Sequence, residues 1–113
     1  MLSNSIVSLY SAADYFTVDL LTDRRDWYME GDTVTISCQL VTENNSLQWF
    51  KDGNSITNSD RFEIMRDGKL HTLFIRAVKL EDRGDYSVLV KNCRRQTIVH
   101  VEGNLLRRNK YHR

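Results

Sequence analysis

Thr33-Val34-Thr35-Ile36-Ser37-Cys38-Gln39-Leu40 alternates without interruption: Val34, Ile36, Cys38 and Leu40 fall on one face, and Thr33, Thr35, Ser37 and Gln39 on the other. Period-two alternation of this kind marks a strand with one face in a core and the other toward solvent. The same pattern recurs in both directions from it. Phe16-Thr17-Val18-Asp19-Leu20 is a candidate first strand on the N-terminal side. On the C-terminal side, Glu43-Asn44-Asn45-Ser46 is a turn, and Leu47-Gln48-Trp49-Phe50-Lys51 is the next strand, closed by Asp52-Gly53. Asp-Gly is a strong hairpin signal. Phe62-Glu63-Ile64-Met65 follows and ends at Asp67-Gly68. Leu73 and Ile75, then Tyr86, Val88 and Val90, then Thr97, Val99 and Val101 continue the alternation. No segment keeps a helical apolar period over three turns, so the reading is an all-β sandwich or barrel.

The composition agrees with one soluble globular domain. The chain has 113 residues, 41% hydrophobic and 27% charged, with 16 Lys plus Arg against 15 Asp plus Glu. A chain of this length buries roughly two-thirds of its unfolded surface, enough for a core without staples. Its near-neutral charge argues against nucleic acid as a dedicated partner. No apolar run approaches the ~20 residues of a membrane-spanning helix. The opening MLSNSIVSLYSAADYF has no basic segment ahead of a continuous apolar stretch and does not read as a signal peptide. Residues 1–14 read as a leader or linker, 15–102 as the domain, and 103–113 as a basic tail.

Spacing then becomes specific. Cys38 on its apolar strand is followed eleven positions later by Trp49, then by Leu73-x-Ile75-x-x-Val78 and by Asp82-Arg83-Gly84-Asp85-Tyr86. Glu30-Gly31-Asp32 precedes the Cys strand, and Trp49-Phe50-Lys51-Asp52-Gly53 follows it. Jointly, these elements resemble an immunoglobulin domain of the intermediate (I-set) type, from about Phe16 to Val101. The resemblance implies a Greek-key sandwich of seven to nine strands in two antiparallel sheets. It implies a structural core of Cys38, Trp49, Leu73, Tyr86 and Val88, with Trp49 between the sheets and Tyr86 as the tyrosine corner. It also implies a salt bridge between Arg61 and Asp82 at one end of the sandwich, and a Gly84 that leaves room for a sharp turn beneath Tyr86. Trp27 and Tyr28 stand where the family shows smaller aliphatics.

One departure carries information. The family's second core cysteine belongs two residues after the corner Tyr, and here that position is Val88. Cys93 lies five positions further on. Counted along one strand, an odd offset turns it to the opposite face, about five residues at ~3.4 Å each from the position that would face Cys38. A disulfide needs Cα atoms within about 7 Å. We therefore expect no Cys38–Cys93 bridge, a buried Cys38 thiol beside Val88 and Trp49, and an off-core surface thiol at Cys93. A domain without the bridge suits a reducing compartment. The resemblance is then to the I-set domains of giant muscle and cytoskeletal proteins of the titin, twitchin, obscurin and myosin-binding protein C type.

Catalytic and metal chemistry find little support. His71, His100 and His112 show no metal-ligand spacing and read as solvated strand or tail residues. No Gly-x-Ser-x-Gly elbow occurs, and the five glycines are isolated turn residues rather than a phosphate cradle. No catalytic residue, cofactor or metal is implied. Asn44-Asn45-Ser46 fits a glycosylation sequon, which is inert in a cytosolic domain. The basic tail Arg107-Arg108-Asn109-Lys110-Tyr111-His112-Arg113 reads as a solvated linker.

Parity marks one surface. If Trp49, Val88 and Val99 face inward, Phe50, Leu89 and Ile98 face outward on neighbouring strands and form a candidate partner-binding patch. The resemblance implies a non-enzymatic structural and protein-binding module of a multidomain sarcomeric or cytoskeletal protein. Its partners would be neighbouring immunoglobulin or fibronectin domains and other sarcomeric proteins, in the cytoplasm. Two alternatives stand beside it: a cell-surface adhesion or receptor domain lacking the bridge, and a segment flanking a kinase or exchange-factor domain.

Overall fold

The alternation in Val34–Leu40 places four apolar side chains on one face, and that face is where the second sheet docks. In the computed structural model, which describes residues 15–103, Val34, Ile36, Cys38 and Leu40 are all buried. The strands are β1 (Phe16–Thr22), β2 (Tyr28–Met29), β3 (Val34–Leu40), β4 (Gln48–Lys51), β5 (Asn54–Ser55), β6 (Phe62–Asp67), β7 (Leu70–Ile75), β8 (Gly84–Val90), β9 (Cys93–Val99) and β10 (Val101–Glu102). A single 3-10 turn, Leu80–Asp82, lies between β7 and β8. One sheet has the order β1-β3-β7-β6 and the other β5-β4-β8-β9. This is the two-sheet order of an immunoglobulin sandwich, with all neighbours in the two large sheets antiparallel. β2 and β10 form a short parallel pair. The ten strand segments exceed seven to nine because the first and last strands of the sandwich are each broken, into β1 with β2 and β9 with β10. The expected leader 1–14 and the tail beyond Gly103 lie outside the described residues.

Turn chemistry fixes the registers. Asp52 and Gly53 have φ of 49° and 86°, the left-handed pair that a two-residue hairpin with the right twist requires. They join β4 to β5. Gly68, at φ 61°, opens the β6–β7 hairpin between the paired residues Asp67 and Leu70. Lys91 supplies a third positive φ, 55°, between the paired residues Val90 and Cys93. That last turn lacks any Gly, Pro or Asp.

The core joins both sheets. Ile36, Cys38, Leu73 and Ile75 from one, and Trp49, Tyr86, Val88, Val90 and Val99 from the other, belong to a single buried cluster. Burying one such side chain contributes about 1.5–3 kcal/mol. Tyr28, fully buried, takes the inward place on β2 opposite Val101 and donates its hydroxyl to Asp23 Oδ1 at 2.5 Å. An aromatic is accommodated there because its polar end reaches a partner. Burial, with the Asp23 hydrogen bond and charge adding to it, pushes the Tyr28 hydroxyl up to about 12.

Asp82 ties the turn before β8 together. Its carboxylate accepts from Arg61 Nη1 at 2.5 Å, Arg61 Nη2 at 3.2 Å and the Lys79 backbone N–H at 2.8 Å. Its carbonyl accepts the buried Tyr86 hydroxyl at 2.5 Å. The Asp82 hydrogen bond raises the Arg61 pKa further. Burial raises the Tyr86 pKa, and the charges of Asp82 and Asp52 add to the rise. Gly84 has φ +146°, a region that side chains rarely adopt, and a Cβ there would stand 2.8 Å from the Asp52 carboxylate. The close approach at Gly84 is therefore to Asp52, which accepts the Asp85 N–H at 3.0 Å.

Asp82→Ala removes acceptors from an almost fully buried position and is expected to cost about 2–3 kcal/mol. Arg61→Met, at a partly exposed side chain, is expected to cost about 1 kcal/mol or less. Thermal unfolding of the two variants checks the order, and equal losses would contradict the central role of Asp82.

Candidate interaction surfaces

The outward face of the β5-β4-β8-β9 sheet carries the three apolar residues singled out by parity. Cross-strand pairing places Gln48, Leu89 and Arg94 in one row, Phe50, Ser87 and Gln96 in the next, and Asp85 with Ile98 in a third. Phe50 and Leu89 are diagonal neighbours. Ile98 lies two strands from Phe50 and one row away, roughly 12 Å at ~4.8 Å per strand and ~7 Å per row. The Arg94 guanidinium sits 5.8 Å from the Phe50 ring centroid and donates to Ser87 Oγ at 3.3 Å. Phe50 and Leu89 are half-buried, and Ile98 is 48% exposed. The structure thus does not bring Phe50, Leu89 and Ile98 into one apolar patch. Parity is correct for each, and Phe50 and Leu89 adjoin, but Ser87, Gln96 and Asp85 separate Ile98 from them, and Arg94 stacks on the aromatic. Phe74, on the other sheet, is likewise stacked by Arg76, 5.2 Å from its centroid.

Cys93 is a correction. It is buried in the core cluster at 8% exposure, not on the surface. The parity count ran along one strand, but β8 ends at Val90 and the chain reverses at Lys91–Asn92. Cys93 therefore opens β9 beside Val90, with its sulfur accepting from Arg95 Nη1 at 3.3 Å. No disulfide joins it to Cys38. Burial, with Asp19's charge adding, pushes the Cys38 thiol up to about 12, so it stays protonated and is a poor nucleophile or metal ligand.

His71 is a second correction. It shares parity with Leu73 and Ile75, pairs directly with Cys38, and is 4% exposed rather than solvated. Its Nε2 is buried without a hydrogen-bond partner among the described residues, as is Trp49 Nε1. His100 is exposed, and its carbonyl accepts the Tyr28 N–H. Among the described residues no group of three or more His, Cys, Asp or Glu is placed to hold a metal.

Cys38, Trp49, Leu73, Tyr86 and Val88 are each 2% exposed or less. What sequence reasoning missed lies at the edge of β9. A surface pocket there is lined by Leu21, Thr22, Arg24, Arg25 and Thr97. The cluster Arg24-Arg25 beside an exposed Leu21 was the available signal.

Burial, with the nearby Arg66 charge, holds the His71 imidazole below its ordinary value. The unfolded chain therefore binds the proton first as pH falls, so stability should drop below about pH 6.5, with a slope of at most about 1.4 kcal/mol per pH unit. His71→Leu is expected to flatten that slope between pH 7.5 and 5.5. Urea midpoints across this range check it, and identical slopes in both proteins would contradict a buried neutral His71.

The family profile "Immunoglobulin I-set domain" matches residues 23–102. Titin of Drosophila melanogaster is 36% identical over 63 residues, 55% of this chain. Cardiac-type myosin-binding protein C of Mus musculus is 36% identical over 62 residues, 53% of this chain. The chain spans 5% or less of the length of either relative. A crystal structure of a single titin domain superposes with a TM-score of 0.69 at 26% identity, covering 77% of this chain and 96% of that one. The chain belongs to the immunoglobulin I-set domains.

Proposed function

We propose that residues 15–102 are one link in a multidomain structural protein of the sarcomere or cytoskeleton, non-enzymatic, with neighbouring immunoglobulin or fibronectin domains as its partners in the chain. The observation that carries this reading is the placement of the two ends. β1 begins at Phe16, paired with Leu40, beside the β6–β7 hairpin, where the Leu40 N–H bonds the Lys69 carbonyl. The chain leaves at Gly103, which lies against Glu30 and Leu80 at the other pole. Entry and exit at opposite poles let such domains join end to end. The sequence likeness to domains of titin and myosin-binding protein C supports the same reading. So does Val88 in place of a second core cysteine, which suits a reducing compartment.

The geometry also suggests how the link resists tension. The parallel pair β2–β10 lies between the two ends along the chain, with Tyr28 N–H on the His100 carbonyl at 2.9 Å and Glu30 N–H on the Glu102 carbonyl at 2.8 Å. Pulling the termini apart slides these strands past each other and loads both bonds together. Stretched between handles at Tyr15 and Gly103, the domain is expected to unfold in one cooperative step, and Glu30→Pro, which deletes one of the two donors, should lower the unfolding force. Gradual extension without a force peak would contradict the reading.

A further inference from the structure

β2 covers only part of the last strand's edge. The Asp52 N–H bonds the Asp85 carbonyl, so with the β4–β8 register the backbone groups of Asp85, Ser87 and Leu89 point at β4. Those of Gly84, Tyr86, Val88 and Val90 then point at β9, where they pair with Val99, Thr97, Arg95 and Cys93. The backbone groups of Arg94, Gln96 and Ile98 are left facing away from the sheet. Further along, the carbonyls of His100 and Glu102 on the same edge are taken by β2. Arg95 Nη1 caps the Arg94 carbonyl at 3.2 Å. Among the described residues no hydrogen bond reaches the backbone groups of Gln96 and Ile98, while β1 packs beside the inward face of β9 through Asp19 and Phe16 on Arg95.

Exposed edges are normally blunted by Pro, bulges or inward charges. The β8–β9 register runs without a break from Val90–Cys93 to Gly84–Val99, and the chain contains no Pro. The edge is instead flanked by apolar side chains, with Ile98 at 48% exposure on one side and Leu21 at 56% in the pocket with Thr97 on the other. Arg24 and Arg25 line that pocket. Arg24 is paired with Asp32, and Arg95 with Asp19. Arg25 and Arg94 are in no ion pair among the described residues.

We propose that the β9 edge at Gln96 and Ile98 accepts an extended, acidic segment of a partner protein as an added strand. The main chain would supply hydrogen bonds, and alternate side chains of the segment would reach Leu21 and Thr97 on one face and Ile98 on the other. A carboxylate of the segment would meet Arg25. A second copy of this chain fits poorly, because pairing two such edges gathers Arg25 and Arg94 of both copies into one seam. This site deepens the reading of the domain as a protein-binding module and rests on it.

A phage-displayed library of linear ten-residue peptides, selected against the folded chain, tests the site. Binders are expected to alternate apolar and polar residues and to carry Asp or Glu. They should bind Gln96→Pro at least tenfold more weakly, since proline deletes an outward N–H and leaves the β8–β9 ladder intact. They should bind Arg25→Glu at least fivefold more weakly and slow hydrogen exchange at the Gln96 and Ile98 amides. Should Gln96→Pro fail to fold, Arg25→Glu and the exchange pattern decide. Binders that ignore both variants or protect other amides overturn the edge assignment and leave the module reading standing. A selection without binders also overturns the edge assignment, and the module reading is then judged by the stretching experiment alone.

Discussion

Trp49 and Val88 on one sheet, and Cys38, Leu73 and Ile75 on the other, close a core that holds no covalent cross-link between its two cysteines. Removal of apolar surface from water is therefore what keeps the sheets face to face, at roughly 25 cal/mol per Å² buried. A disulfide in a small domain supplies about 2–5 kcal/mol by restricting the unfolded chain. Here that contribution is missing, and packing replaces it. The Val88 side chain is fully buried, and His71 stands opposite Cys38 in the same layer. Two buried polar atoms, His71 Nε2 and Trp49 Nε1, have no hydrogen-bond partner among the described residues and reduce the gain.

Because no disulfide joins the sheets, the connections around them do much of the positioning. Asp82 gathers Arg61, the Lys79 N–H and the Tyr86 hydroxyl at the turn into β8. That sets the entry of the strand whose inward residues face the opposite sheet. β8 in turn fixes β9, and the register of β9 decides which backbone groups meet the solvent. A surface property, the open edge at Gln96 and Ile98, thus follows from pairing that begins in the interior.

Much of this was legible in the sequence, for physical reasons. Val34–Leu40 alternates strictly because one face is buried and the other wet, and Asp52-Gly53 and Asp67-Gly68 mark hairpins because only certain residues tolerate a positive φ. Tyr86 and Trp49 are recognisable because their size and spacing match a known frame. The failures are equally specific. The turn at Lys91–Asn92 has no Gly, Pro or Asp and only a lone Asn, a weaker signal than Asp-Gly, so a parity count that runs through it puts Cys93 on the wrong side. β2 is two residues long, too short for any period. The register shifts between Phe16 and Leu21 disrupt alternation in β1. Polarity alone puts His71 in solvent, whereas its parity with Leu73 places it inside. Ile98 stands apart from Phe50 and Leu89 because the identity of cross-strand neighbours depends on register, which a single strand does not reveal.

The central claim, a sandwich closed by packing without a disulfide, is tested most directly by equilibrium unfolding in urea with and without a reductant. The account predicts the same midpoint and the same slope in both conditions. A lower midpoint in the presence of reductant would show that a bridge contributes to stability and would contradict it.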